Sequence, residues 1–167
     1  AIAAVKTFAT RKKLSSWHLL FPEEGVSETL LAAGLHRRAA TQFHWFNDGY
    51  RSFDDFLATF SSRKRKSLNR ERRRVAEQGI TLRTLTGAEI GQQEWEQFYA
   101  FYQMTYAKRS GHGGYLSRAF FLETAASMGE QVVLVLAYLD AQAIAGALYF
   151  RSSDTLYGRY WGCEHEF

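Results

Sequence analysis

The chain has 167 residues, enough for one domain with a real core or for parts of two. Apolar residues make up 46% and aromatics 16%, which excludes a disordered chain. The formal charge is +4, but eight basic residues and one acid fall within 61–75, and removing that run leaves 13 basic against 16 acidic residues. The basicity is local, which excludes a general polyanion binder with positive charge spread over its surface.

The start, "AIAAVKTFATRKK", lacks an initiating Met and the charged-then-apolar layout of a leader. The chain reads as a piece of a longer protein. Residues 14–21, "LSSWHLLF", read as a strand ended by Pro22. A helix is predicted over 23–35, with Val26, Leu30 and Leu31 at helical spacing and Gly34 at its close. Residues 36–47 read as a returning extended segment. Ser52 caps the next helix, with Asp55 completing a capping-box pattern; Phe53, Phe56, Leu57 and Phe60 form its apolar stripe. The basic run follows as a helix with Ser61 or Ser62 as cap, Gly79 as stop, and Leu68, Val75 and Ala76 as a narrow packing face.

"ITLRTL" (80–85) alternates as a strand does. A helix over 88–109 carries aromatics at spacings of three and four, the pattern of a core face. "SGHGGY" (110–115) breaks it, and a further helix covers 116–128. Strands at 131–139, 143–151 and 155–163 are joined by turn-like connections. The order predicts a mixed α/β (α+β) layer domain. No apolar run approaches the ~20 residues of a membrane span. The one cysteine, Cys163, allows no intramolecular disulfide and fits a reducing, cytoplasmic setting or simply a chain that needs no staple. It reads as a small buried residue. No zinc-ligand spacing occurs, so no metal is expected.

Three stretches carry a family likeness together. "QFHWFNDGYRSFDDFLATFSSRKRK", "SSRKRKSLNRERRRVAEQGI" before a strand, and "FYAFYQMTYAKRSGHGGYLSRAFF" leading to "VVLVLAYLDAQAIAGALYF" and "LYGRYWGCEHEF" resemble the FemAB-like bacterial proteins of peptidoglycan biosynthesis and recognition. That group resembles the GNAT acyltransferase fold duplicated into two lobes. The likeness implies a largely antiparallel sheet flanked by helices, with 1–46 the later part of a first lobe (strand, helix, strand). Residues 47–167 would be a second lobe short of its closing elements. It implies transfer of an acyl or aminoacyl group to an amine, with a peptidoglycan precursor as acceptor. Acyl-CoA and aminoacyl-tRNA are both open as donors, because the Gly-rich R/Q-x-x-G-x-G/A turn of CoA enzymes is absent.

Acyl transfer needs an unprotonated amine and donors for a developing oxyanion. Strand 155–163 is where the likeness places the oxyanion donors, and alternation puts Tyr157, Arg159, Trp161 and Cys163 on one face. Tyr157, Arg159 and Trp161 are therefore substrate-binding candidates. Glu164 and His165, at the strand's end, are candidate general bases. His44, Trp45 and Asn47 lie where the family's substrate channel is expected. Lys108, Arg109, His112 and Tyr115 surround the glycine loop. On the basic helix, Lys64, Lys66, Arg70, Arg73 and Arg74 are candidate phosphate contacts, for tRNA if that is the donor. The competing reading is a binding module without turnover, for nucleic acid or anionic cell-wall polymer. For the basic run the plain alternative is a solvated helix face.

Overall fold

The computed structural model describes residues 1–164. The chain divides into two compact units, Ala1–Tyr50 and a second beginning at Arg51. The expected boundary lay four residues earlier.

The first unit holds two helices, α1 (Ile2–Arg11) and α2 (Glu24–Ala32). The Lys6 ammonium donates to the Ala33 carbonyl at 2.8 Å and ties the start of one to the end of the other. The helix expected at 23–35 is present. The two expected strands are not: residues 14–21 and 36–47 form no ladder. An extended segment becomes a strand only when a neighbour takes up its amides and carbonyls, and this unit supplies none. Helix α1 was not foreseen. Its alanines favour helix, and Arg11 in the last turn suits the dipole. No residue of 1–50 is buried.

The second unit carries the core. Helix α3 (Phe53–Ala58) starts as expected: the Ser52 hydroxyl accepts from the Asp55 amide at 3.1 Å. The Asp55 carboxylate reaches the Arg51 amide, one residue outside the capping box read from sequence. Of the apolar stripe only Leu57 is buried. Helix α4 (Ser62–Glu77) is capped by Ser61, and Gly79 follows it with a φ of 75°. Then come β1 (Thr81–Thr86), a 3₁₀ turn (Gly87–Glu89), α5 (Gln92–Ser110) and α6 (Arg118–Met128). The chain ends in β2 (Val132–Leu139), β3 (Gln142–Arg151) and β4 (Leu156–Cys163). The start of α5 lies four residues later than expected. The Thr86–Glu89 capping box holds a separate 3₁₀ turn there, and Gly91 takes the cap of α5.

The four strands form one antiparallel sheet in the order β1-β2-β3-β4, with α5 on β3 and β4 and α6 beside α5. The mixed α/β expectation is borne out as this antiparallel sheet flanked by helices. The α5 aromatics are core: Trp95, Phe98, Phe101 and Tyr102 pack with Phe121 against Leu134, Leu136 and Leu148. Each such burial is worth about 1.5–3 kcal/mol.

Two glycines set how closely α5 approaches. Gly146 and Gly162 are cross-strand partners on the helix face. A Cβ at Gly162 would stand 2.3 Å from the Phe101 carbonyl oxygen, and one at Gly146 would stand 3.0 Å from the Phe98 ring. Together they form a trough that receives the helix. The Thr105 hydroxyl closes the seam, 3.1 Å from the Phe101 carbonyl and 3.2 Å from that of Trp161.

Candidate functional site

The C-terminal half of α5 places Tyr102, Thr105, Tyr106 and Arg109 at i, i+3, i+4 and i+7, one face of a helix. Facing them, β4 contributes Arg159, Tyr160 and Trp161. With Ser110 these residues line a cavity of about 290 Å³.

A β-bulge makes this possible. Leu148 pairs with Tyr160 and Tyr149 with Gly158, so Arg159 is left between them as an extra residue. The strict alternation read from the sequence is therefore wrong here. Tyr157 pairs with Phe150, while Trp161 and Cys163 pair with Ala147 and Ala145, so the four do not share a face. Arg159 and Tyr160 both reach the cavity. The Arg159 guanidinium lies over the Tyr160 ring, 4.7 Å from its centroid.

The loop after α5 is fastened to the same wall. The Tyr102 hydroxyl, on a buried side chain, accepts from the amides of Tyr115 and Leu116 at 3.0 and 3.1 Å. Gly114, with φ of 95°, passes so close that a Cβ would lie 2.4 Å from the Tyr102 ring. The His112 Nδ1 accepts from the Gly114 amide at 3.1 Å, which fixes Nε2 as the protonated nitrogen of the neutral ring. The His112 ring lies 4.7 Å from Tyr115 and 5.6 Å from Tyr106. His112 and Tyr115 thus back the cavity wall through Tyr106.

Burial pushes the Tyr106 hydroxyl up, and the Tyr102 and Tyr160 phenols add to it; Arg159 pulls the other way. The hydroxyl stays protonated and can donate. The lining holds two arginines and no carboxylate. Among the described residues the ion pairs are Arg51–Asp55, Arg118–Glu96 and Arg151–Glu130, and none uses Arg109 or Arg159. A wider hollow of about 780 Å³, lined by Gly87, Trp95, Arg118, Ala125 and Glu130 among others, differs in this respect. Its charged side chains are already committed to those pairs.

The other candidates lie elsewhere. Lys108 is exposed on α5 and does not line the cavity. Glu164 follows β4, where its carboxylate accepts from the Gln142 amide at 3.4 Å and its own amide donates to the Ile144 carbonyl. His165 lies outside the described residues. His44, Trp45 and Asn47 belong to the first unit and are exposed. Asn47 clamps a turn there, accepting from the Tyr50 amide at 2.7 Å and donating to its carbonyl at 3.2 Å.

On α4, Arg63, Lys66, Arg70, Arg73 and Arg74 fall within an arc of roughly 100°, away from Leu68 and Val75 and about 16 Å long. Lys64 lies off this stripe, and Arg72 is drawn aside, 4.1 Å over the Phe53 ring. No residue of α4 is buried.

All 167 residues match the model of a family described as FemAB-like, peptidoglycan biosynthesis/recognition. The chain belongs to the FemAB-like family. No curated protein matches it. Membership ties this FemAB-like chain to peptidoglycan and suggests a cell-wall precursor as its partner. Among the described residues no helix is long and apolar enough to cross a membrane, and no three His, Cys, Asp or Glu side chains cluster as metal ligands would. Tyr102, Thr105, Tyr106, Ser110 and Tyr160 line the cavity of this FemAB-like chain without having been candidates from its sequence. The signal was there in part: Tyr102, Thr105, Tyr106 and Arg109 share a helical face ending in a cation.

Proposed function

We propose that this FemAB-like chain is part of an N-acyltransferase that moves an acyl or aminoacyl group to an amine of a peptidoglycan precursor. In this reading residues 1–50 are the end of a first lobe and the residues from 51 on belong to a second. The observation that carries it is the β4 bulge beside the cavity. The bulge leaves Arg159 outside the pairing register, and in this reading its amide donates to the acyl oxygen. The neutral amine attacks the acyl carbon, the new C–N bond forms, and the bond to the donor's oxygen or sulfur breaks. The amine proton passes to a base, with Glu164 and His165 the nearest candidates along the chain. Tyr106, still protonated, donates to the departing group. Acyl-CoA and aminoacyl-tRNA are alternative donors.

The test is transfer of labelled acyl groups from each donor to peptidoglycan precursors by the full-length protein. Tyr106→Phe and Glu164→Gln should each slow transfer by about 10²–10⁴-fold if they move protons. Transfer from neither donor to any precursor would sink the proposal.

The cationic stripe on α4 favours a second reading, a docking track for a polyanion such as tRNA or an anionic cell-wall polymer, without turnover. Phosphate contacts give affinity that falls steeply with salt. Arg70→Glu/Arg73→Glu protein should bind such polymers weakly and with a shallower salt slope, read by mobility shift at two salt concentrations. Unchanged binding removes the stripe from the interface.

A further inference from the structure

We infer that the cavity between α5 and β4 is an oxyanion subsite, in which Arg109 and Arg159 grip a carboxylate or phosphate group of the substrate. The inference rests on reading this cavity as the substrate site; it does not depend on the reaction being acyl transfer.

Four observations carry it. First, the lining contains two guanidinium groups and no acid, and neither arginine joins an ion pair among the described residues. The dipole of α5 accounts for a cation at Arg109, in that helix's last turn. It does not account for Arg159. Second, the bulge brings Arg159 to the side occupied by Tyr160 and α5. Third, the Tyr160 ring supports the guanidinium from one side. A stacked guanidinium keeps its edge N–H groups directed outward, in the fork that matches a carboxylate or phosphate. Fourth, the remaining lining supplies a neutral donor, the Ser110 hydroxyl.

Size sets what enters. About 290 Å³ lies at the small end for ligand pockets. It takes one end group of a precursor, not the whole molecule. A free peptide carboxylate and a phosphate share the necessary chemistry, an anion whose several oxygens can face two guanidinium forks.

The experiment measures binding and transfer separately on the full chain. Three probes are titrated while the Arg side-chain Nε–H signals are followed by NMR: a short peptide acid, the same peptide as its C-terminal amide, and inorganic phosphate. The acid or phosphate should shift the Arg109 and Arg159 signals, and the amide should not. Saturation by the peptide acid alone assigns a carboxylate; saturation by phosphate alone assigns a phosphate. Arg159→Met and Arg109→Met should each weaken oxyanion binding by about ten- to a hundredfold, the range for a charge-assisted hydrogen bond. Arg159→Lys should recover only part of it, because an ammonium lacks the fork. Unfolding midpoints of the variants verify that each is folded. If acid, amide and phosphate bind alike, or not at all, the inference is overturned. Transfer without oxyanion binding refutes the subsite alone. Oxyanion binding without transfer refutes the acyltransferase reading and leaves the subsite standing.

Discussion

Replacing Tyr102 with Phe removes one oxygen and keeps the ring. That oxygen accepts from two part-buried amides, at Tyr115 and Leu116. Leaving them unpartnered should cost about 1–3 kcal/mol, read as a lower urea midpoint. Hydrogen exchange at 115 and 116 should quicken, while exchange in β2 should change only with global stability. At Tyr106 the raised pKa has a definite sign. The unfolded phenol ionises first, so the folded state's advantage is whole below the ordinary tyrosine range and is lost as pH climbs through the raised value. Removing Arg159 removes the influence that opposes this rise. Arg159→Met should therefore move the Tyr106 titration to still higher pH, followed by ring-carbon NMR; a downward move would show that the guanidinium does not act on this phenol.

At the level of elements, β4 and α4 contrast. Gly162→Ala places a methyl 2.3 Å from a backbone carbonyl that cannot rotate away. The strand and α5 must separate, and the variant should lose about 1–3 kcal/mol or more by denaturant unfolding. Charge reversal on α4 should do little to stability, within roughly 0.5 kcal/mol, since no residue there is buried. The elements legible in the sequence were those whose evidence is local. The aromatic spacing of α5 announced a core helix, and the turns after β2 and β3 announced a meander. The bulge was not legible, because it is a property of two strands in register: nothing in "LYGRYWGC" shows which residue β3 will leave out. The segments at 14–21 and 36–47 failed for the opposite reason. Their composition suits a strand, but composition supplies no partner.

The whole molecule is uneven in where its stability resides. Every buried residue follows Tyr50, and none precedes it. A chain beginning at Arg51 should keep a cooperative thermal transition, with a midpoint near that of the full chain. A peptide of residues 1–50 should show some helical circular dichroism and melt without cooperativity. A sharp transition in the peptide would mean that its two helices hold each other without a core. The family and its tie to peptidoglycan follow from the whole length of the chain, whereas the candidate chemistry concentrates in a few residues of α5 and β4.

Those few residues sit on a frame made largely of main chain. Gly146 and Gly162 set the height of α5 above the sheet without any side chain of their own. Arg109, Ser110 and Arg159 are exposed beside that contact. Changing them should alter what the cavity accepts while the folding free energy hardly moves. Adding even a methyl at 146 or 162 should damage the fold before it affects ligand choice. Selectivity and architecture are thereby assigned to different positions, which gives the cavity room to evolve new preferences on an unchanged scaffold.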